Sequence, residues 1–157
     1  MKDKIIEQTI YSLQTEGLRF SVDALAERLK ISKKTVYKYF STKEELAVAV
    51  YEKFYADAER RLNEITDGEN TAEKPERLLR LYFHSCRMVG GEIFNKYALN
   101  GAIAAFAERR HDDLWERICP LLGADDETRT ILDGAFEKIS KTELSPEKYL
   151  KKLVKLL

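Results

Sequence analysis

Phe20–Leu46 reads FSVDALAERLKISKKTVYKYFSTKEEL. From Leu18 to Asp67 the chain contains neither glycine nor proline, so helix starts and stops must be set there by other residues. Three caps set them. Ser21 is placed to accept a bond from the exposed amides of a helix carrying Val22, Leu25, Ala26 and Leu29, with Phe20 and Leu25 as a hydrophobic staple. Ser32 does the same for a helix with Val36 and Phe40 facing inward, stapled by Ile31 and Val36. Thr42 and Glu45 match a capping box for the helix that follows. Two short helices separated by about three residues, each holding apolar residues toward the other, form a helix-turn-helix. Such short helices are marginal alone, so neighbours on both sides must hold them.

Those neighbours are legible from periodicity. Ile6, Ile10 and Leu13 mark a preceding helix that should stop at Gly17. Downstream, Ala47, Tyr51, Phe54, Tyr55, Ala58, Leu62 and Ile65 line one side of a long helix ending near Asp67-Gly68-Glu69-Asn70. Pro75 fits the first position of the next helix, which carries Leu78, Leu79, Tyr82, Phe83 and Cys86 and breaks at Gly90-Gly91. Residues 92–118 read as two shorter helices, and Pro120 and Gly123 close that region. A helix over Asp126–Lys141 and another from Pro146 to the C-terminus complete the chain. Period-2 alternation is absent. The expected fold is all-α, with an N-terminal three-helix helix-turn-helix domain over residues 1–45 and a helical body over 46–157.

The 157 residues are 44% hydrophobic and 34% charged, a composition that supports a packed core. Lys and Arg number 27 and Asp and Glu 27, which argues against coating nucleic acid or anionic membrane through bulk charge. Position changes that reading. Residues 1–43 hold nine basic and five acidic side chains, whereas 44–157 hold 18 and 22. From Arg28 to Lys43 there are six basic residues (Arg28, Lys30, Lys33, Lys34, Lys38, Lys43) and no acidic one. The cluster falls on the second short helix and its flanks, where phosphate contacts belong if that helix enters a major groove. A solvated surface helix would carry lysines too; the coincidence with doubly capped helix-turn-helix spacing favours DNA.

Taken together, these residues strongly resemble the DNA-binding signature of the TetR (tetracycline repressor) family. The matching marks are Leu25-Ala26, Ile31-Ser32, Thr35-Val36-Tyr37, Phe40 and Lys43-Glu44-Glu45-Leu46. Lys30 departs from the pattern, since the family usually places glycine in that turn. A non-glycine residue in the left-handed conformation costs on the order of 1 kcal/mol, so a slightly different turn is expected. The resemblance implies roles by position. Lys33, Lys34, Thr35 and Tyr37 occupy the start and exposed face of the recognition helix, and Lys38 and Tyr39 are backbone contacts near its end. Lys43 matches the family's phosphate-binding lysine, and Ser21 both caps its helix and touches phosphate. Lysine suits phosphate as a point charge, while tyrosine offers a hydroxyl and an apolar ring for thymine methyls. Partial core packing is the alternative for Tyr37. Val36, Leu25, Leu29, Ile31 and Phe40 are core.

By the same resemblance the last two helices form a homodimer interface. Ile131, Leu132, Ala135, Phe136 and Ile139 are the candidates on one, and Tyr149, Leu150, Leu153, Val154 and Leu157 on the other. Intramolecular core is the alternative. A symmetric dimer would set two recognition helices roughly 34 Å apart on a palindromic operator. Aromatic and mixed residues of the middle helices, Tyr55, Tyr82, Phe83, His84, Phe94, Tyr97, Phe106 and Trp115, could line a small-molecule effector pocket. Aromatic stripes at helical spacing are more often plain core. A body that binds a protein partner instead of a small ligand is the rival reading.

Other classes find little support. Leu46–Tyr51 and Ala102–Ala107, the longest apolar runs, are six residues each, against roughly 20 for a membrane span. The start, Met-Lys-Asp-Lys-Ile-Ile-Glu, is too polar for a secretory signal, so a cytoplasmic location without membrane partners is expected. Cys86 and Cys119 form no CxxC pair. His84 and Cys86 sit two residues apart, on different helix faces. Glycine-rich phosphate loops and serine nucleophile elbows are absent. No enzyme activity, cofactor or metal is expected.

Overall fold

A computed structural model describes residues 1–16, 21–89, 101–140 and 146–157. Among the described residues every regular element is an α-helix: α1 Lys2–Glu16, α2 Val22–Arg28, α3 Lys33–Tyr39, α4 Lys43–Asp67, α5 Lys74–Val89, α6 Gly101–Leu122, α7 Asp126–Ser140 and α8 Pro146–Leu156. None of these helices is long and apolar enough to cross a membrane. The chain divides into two compact units. One comprises Met1–Asp57 with Met88–Glu108, the other Ala58–Arg87 with Arg109–Leu157. The helix-turn-helix read from the sequence over 1–45 lies in the first unit, which extends beyond it.

In the first unit α1 packs on α2 and α2 on α3. Their contact layer is Ile5, Ile6 and Leu13 from α1, Val22, Leu25 and Ala26 from α2, and Val36 and Phe40 at α3, all buried. Ile10, Leu29 and Ile31, expected in the core, are only half-buried. The expected stop at Gly17 and the staple residue Phe20 lie outside the described residues. From α4, Leu46, Ala47, Val50, Tyr51, Phe54 and Tyr55 complete the core. The Tyr51 hydroxyl donates to the Met88 carbonyl at 2.9 Å, and burial pushes its pKa up to about 12.

The turn between α2 and α3 closes by two crossed bonds. Ile31 N–H donates to the Ala26 carbonyl and Lys30 N–H to the Glu27 carbonyl, both at 3.0 Å. This is the Schellman arrangement, and it requires a left-handed residue at the position of Lys30. Lys30 adopts it, with φ 53°. The turn therefore keeps the left-handed geometry that glycine usually serves, and the different turn expected from the lysine does not occur. The same arrangement ends α6, where Ala124 N–H reaches the Cys119 carbonyl at 3.0 Å and Gly123 N–H the Pro120 carbonyl at 3.3 Å. There the left-handed residue is a glycine, φ 63°.

Three boundaries differ from the sequence reading. Pro75 is the second residue of α5, not the first. The capping box of α4 is displaced: Glu45 N–H donates to Thr42 Oγ1 at 3.1 Å, but the Glu45 carboxylate accepts from Ser41 N–H at 2.7 Å rather than from Thr42. Of the stretch 92–118, expected to hold two short helices, residues 92–100 lie outside the described residues; α6 is one helix of 22 residues from Gly101, with Pro120, expected to close the region, inside its last turn. Ile103, Ala107, His111, Leu114, Trp115 and Ile118 form one buried face at steps of three and four, so nothing interrupts it. The expected break at Gly90-Gly91 lies outside the described residues.

The second unit is built around Tyr82 of α5. Its ring lies 4.8 Å from Trp115, 5.0 Å from His111 in a stacked pair at 13°, and 6.0 Å from Phe136. Phe83 meets Phe136 edge-on at 5.1 Å. The α7 helix packs on α8, and Arg80 of α5 grips Glu147 of α8 through both guanidinium branches while also bonding Glu76 at 2.8 Å. This pairing holds the Glu147 carboxyl below the usual carboxylate range.

The two left-handed sites give a matched test. Lys30→Gly should raise unfolding stability by about 1 kcal/mol, since glycine removes the Cβ conflict of that conformation. A Cβ at Gly123 meets nothing within 4 Å, so Gly123→Ala should lower stability by about 1 kcal/mol through conformation alone. Urea titration followed by helical circular dichroism measures both.

Candidate nucleic-acid interface

The exposed edge of the first unit is set by two serine caps. Ser21 has extended backbone and its hydroxyl oxygen accepts from Ala24 N–H at 3.0 Å. Ser32 repeats this with Thr35 N–H at 3.0 Å, and its hydroxyl also bonds Thr35 Oγ1 at 2.8 Å. Each cap satisfies an amide that the first turn leaves open. Because α3 is only seven residues long, its start fixes where every side chain on it points.

On that helix Val36 is 1% exposed and Phe40, its C-cap residue, 1% exposed, which anchors the inner face. The opposite side forms an open groove of about 460 Å³ lined by Ser32, Lys34, Thr35, Tyr37 and Lys38. Tyr37 is half-buried, intermediate between the two roles weighed for it. Lys34 and Lys38 are exposed, and Tyr39 is 38% exposed. Lys33 stands apart from the groove and pairs with Asp23 of α2 at 3.0 Å. Lys43 is half-buried at the first turn of α4. Ser21, half-buried, uses its oxygen as a cap. Of the eight interface candidates, Lys34, Thr35, Tyr37 and Lys38 share one surface; Ser32, read from the sequence only as a cap, lines it too, and Asp23, which the sequence did not single out, pairs with Lys33.

The other candidates fall out differently. Tyr55, Tyr82, Phe83 and Trp115 are at most 1% exposed. Tyr82, Phe83 and Trp115 belong to the aromatic core of the second unit, whereas Tyr55 belongs to the first, with Phe54 edge-on at 5.1 Å. Phe106 is half-buried in the first unit. These side chains are thus split between two units, and the buried ones serve as core. Phe94 and Tyr97 lie outside the described residues. His84 is half-buried, and burial followed by the neighbouring Arg87, Arg61 and Arg80 charges lowers its pKa to about 4.

Among the dimer candidates, Leu132, Phe136, Ile139 and Leu150 are buried within their own unit, so their faces are covered by this chain itself. Ile131 is 68% exposed, Ala135, Tyr149, Leu153 and Val154 are half-buried, and Leu157 is 47% exposed. Cys86 meets a partner the sequence did not suggest. Sharing a helix face with Tyr82 four residues earlier, it lies near Asp133 and His111, not His84. Burial, then the Asp133 charge, pushes the Cys86 thiol pKa up, and burial lowers that of His111 to about 4.

Comparison with known proteins bears on the first unit above all. Residues 5–50 match the family model described as bacterial regulatory proteins, tetR family. The uncharacterized HTH-type transcriptional regulator YvaF of Bacillus subtilis (strain 168) is 33% identical over 81 residues, which make up 50% of this chain and 43% of that relative. The match thus spans less than half of the relative's length. The fold is similar to that of the superantigen PfiT, with a TM-score of 0.58 and 18% identity over 99% of this chain and 95% of that one. Mycobacterium smegmatis AmtR gives 0.55 and 16% over 98% and 82%. A transcriptional regulator of the TetR/AcrR family from Thermobifida fusca gives 0.52 and 19% over 99% and 94%. At such identities the structural likeness speaks for the fold alone.

The Ser32 cap can be tested directly. Ser32→Ala leaves the Thr35 amide without its acceptor and should cost about 1 kcal/mol of stability. Denaturant titration compares it with Thr35→Ala, which keeps the amide bond to Ser32 and should cost less.

Proposed function

Because residues 5–50 match the family model of the tetR bacterial regulatory proteins, we propose that this chain is a DNA-binding transcriptional regulator of that family, a repressor that binds a palindromic operator as a homodimer. The observation that carries this reading is the α3 groove, where Lys34, Thr35, Tyr37 and Lys38 converge on one open surface beside a rigid double cap. Lys34 and Lys38 supply phosphate neutralisation. Tyr37 presents a hydroxyl and a ring edge to base pairs, Thr35 a methyl and an oxygen. Tyr39 and Ser21 contact the backbone at the rim. Lys43 meets phosphate from the first turn of α4, and Lys33 does so by exchanging Asp23 for a phosphate oxygen. Repression is steric, through occupation of the operator.

Dimerisation in this reading uses what α7 and α8 leave uncovered: Ile131, Ala135, Tyr149, Leu153, Val154 and Leu157. Two recognition helices set roughly 34 Å apart then address successive major-groove faces. A small-molecule effector releases the operator by binding preferentially to a conformer with a different separation, because a ligand indifferent to the two conformers shifts nothing.

Selection of bound sequences from random DNA should return a palindrome with half-sites about one helical turn apart; recovery of no enriched sequence would refute operator recognition. In gel-shift titrations Tyr37→Ala should weaken operator binding about tenfold or more with little effect on unrelated DNA. Lys43→Ala should weaken binding to all sequences alike and reduce the salt slope by about 1 per protomer. Sedimentation at micromolar concentration should give twice the chain mass, and Ile131→Glu should shift it toward the monomer.

A further inference from the structure

Away from the α3 groove, three helices of the second unit bring a thiol, an imidazole and a carboxylate to one point. Cys86 of α5, His111 of α6 and Asp133 of α7 each offer one donor atom, and the three atoms lie within 4.8 Å of one another. We propose that this cluster binds a divalent metal ion of the zinc type through Cys86 Sγ, a ring nitrogen of His111 and a carboxylate oxygen of Asp133, with water as the fourth ligand.

The donor set selects the ion. One sulfur, one nitrogen and one oxygen suit zinc and its late first-row neighbours, whereas magnesium and calcium take oxygen ligands. The spacing fits as well. Tetrahedral bonds of the usual zinc lengths set sulfur and oxygen donors about 3.6 Å apart, and Cys86 Sγ lies 3.8 Å from Asp133 Oδ1. In the metal-free chain the thiol proton points across that gap; the ion takes the proton's place, forming the sulfur–metal bond and releasing one proton to solvent.

The surroundings hold the donors in place. Ser85 Oγ bonds His111 Nδ1 at 2.7 Å, and the imidazole is stacked on Tyr82, so the ring cannot turn freely. The Tyr82 hydroxyl donates to Asp133 Oδ1 at 2.6 Å. Such outer hydrogen bonds orient metal ligands and tune their basicity. Charge balances too. Arg129 pairs with Asp112 at 2.5 Å and lies 3.8 Å from Asp133 Oδ2; the Asp133 carboxylate and a Cys86 thiolate together carry the two negative charges that neutralise a dication. His111 is buried while Asp133 is exposed, giving the ion an entry from solvent.

Cobalt(II) added to the chelator-treated full chain reports the site, because a cobalt–thiolate bond absorbs strongly in the near ultraviolet. One cobalt per chain should bind with that absorption, and zinc should displace it. Cys119 is the second of the two cysteines, so Cys119→Ser should keep the absorption and Cys86→Ser should abolish it. Asp133→Asn, at an exposed position, should weaken cobalt binding tenfold or more. Absence of the thiolate absorption in the unaltered chain, its survival in Cys86→Ser, or undiminished affinity in Asp133→Asn would each overturn the proposal. None of these readouts involves DNA, so they stand or fall separately from operator binding.

Discussion

The left-handed turn at Lys30 is the constraint on which the interface depends. The helices it joins, α2 and α3, have seven residues each, too few to be stable by propensity. Their mutual angle is fixed where the Ala26 and Glu27 carbonyls receive the Ile31 and Lys30 amides. Without the left-handed residue those end-of-helix carbonyls would lose their turn partners. The chain tolerates a lysine there because the crossed bonds and the buried Leu25, Ala26 and Val36 over-determine the turn. A local cost of order 1 kcal/mol is carried by the surrounding core.

The second unit depends on a different device, an aromatic centre with a polar rim. Tyr82 is fully buried as a ring, yet its hydroxyl reaches Asp133 and accepts from Arg129 Nε at 3.2 Å. A buried phenol without partners would be costly; here the bonds also tie α5 to α7, and Arg129 continues the network to Asp112 on α6. The indole Nε1 of Trp115 is the exception among the described residues, a buried donor without an acceptor. The tilted contact with the Tyr82 ring, 4.8 Å away, and the Arg129 guanidinium 5.7 Å from the indole ring offset part of that cost.

The first unit was largely legible in the sequence because its signals are local. Ser21, Ser32 and Thr42 act within three residues of the amides they cap, and Leu25, Ala26, Val36 and Phe40 follow helical spacing. Lys30 is the exception: its bulk suggested an altered turn, whereas the chain keeps the left-handed conformation there, because the backbone bonds that demand it outweigh a cost of order 1 kcal/mol. The second unit was less legible because its decisive contacts are distant. Phe136 lies on α7 but packs on Phe83 of α5, 53 positions earlier; a hydrophobic face on α7 looks the same from sequence whether a neighbour in the chain or a second copy covers it. Leu132, Ile139 and Leu150 were ambiguous for that reason. Cys86 shows the same limit: helix geometry separated it from His84, but its neighbours Asp133 and His111, 47 and 25 positions away, could not be read from the sequence. Pro120 reads as a terminator, yet α6 runs two residues past it, since near a helix end a proline forfeits only one hydrogen bond.

The neutral total of 27 against 27 charges acquires a physical meaning at the α3 surface. Capping engages Ser21, Ser32 and Thr35, and Asp23 engages Lys33. In the proposed binding mode the side chains of the groove left outside these local pairings are Lys34, Tyr37 and Lys38. Few cations imply few counterions released, so bulk attraction to any duplex stays weak and complementarity to a particular surface must supply more of the affinity. The Lys33–Asp23 pair sharpens this. Both partners are half or more exposed, so the pair is worth little and, in the proposed binding mode, would yield to a phosphate placed correctly. A duplex whose phosphates fall elsewhere leaves it closed. A helix with fewer committed lysines would bind more tightly everywhere and discriminate less.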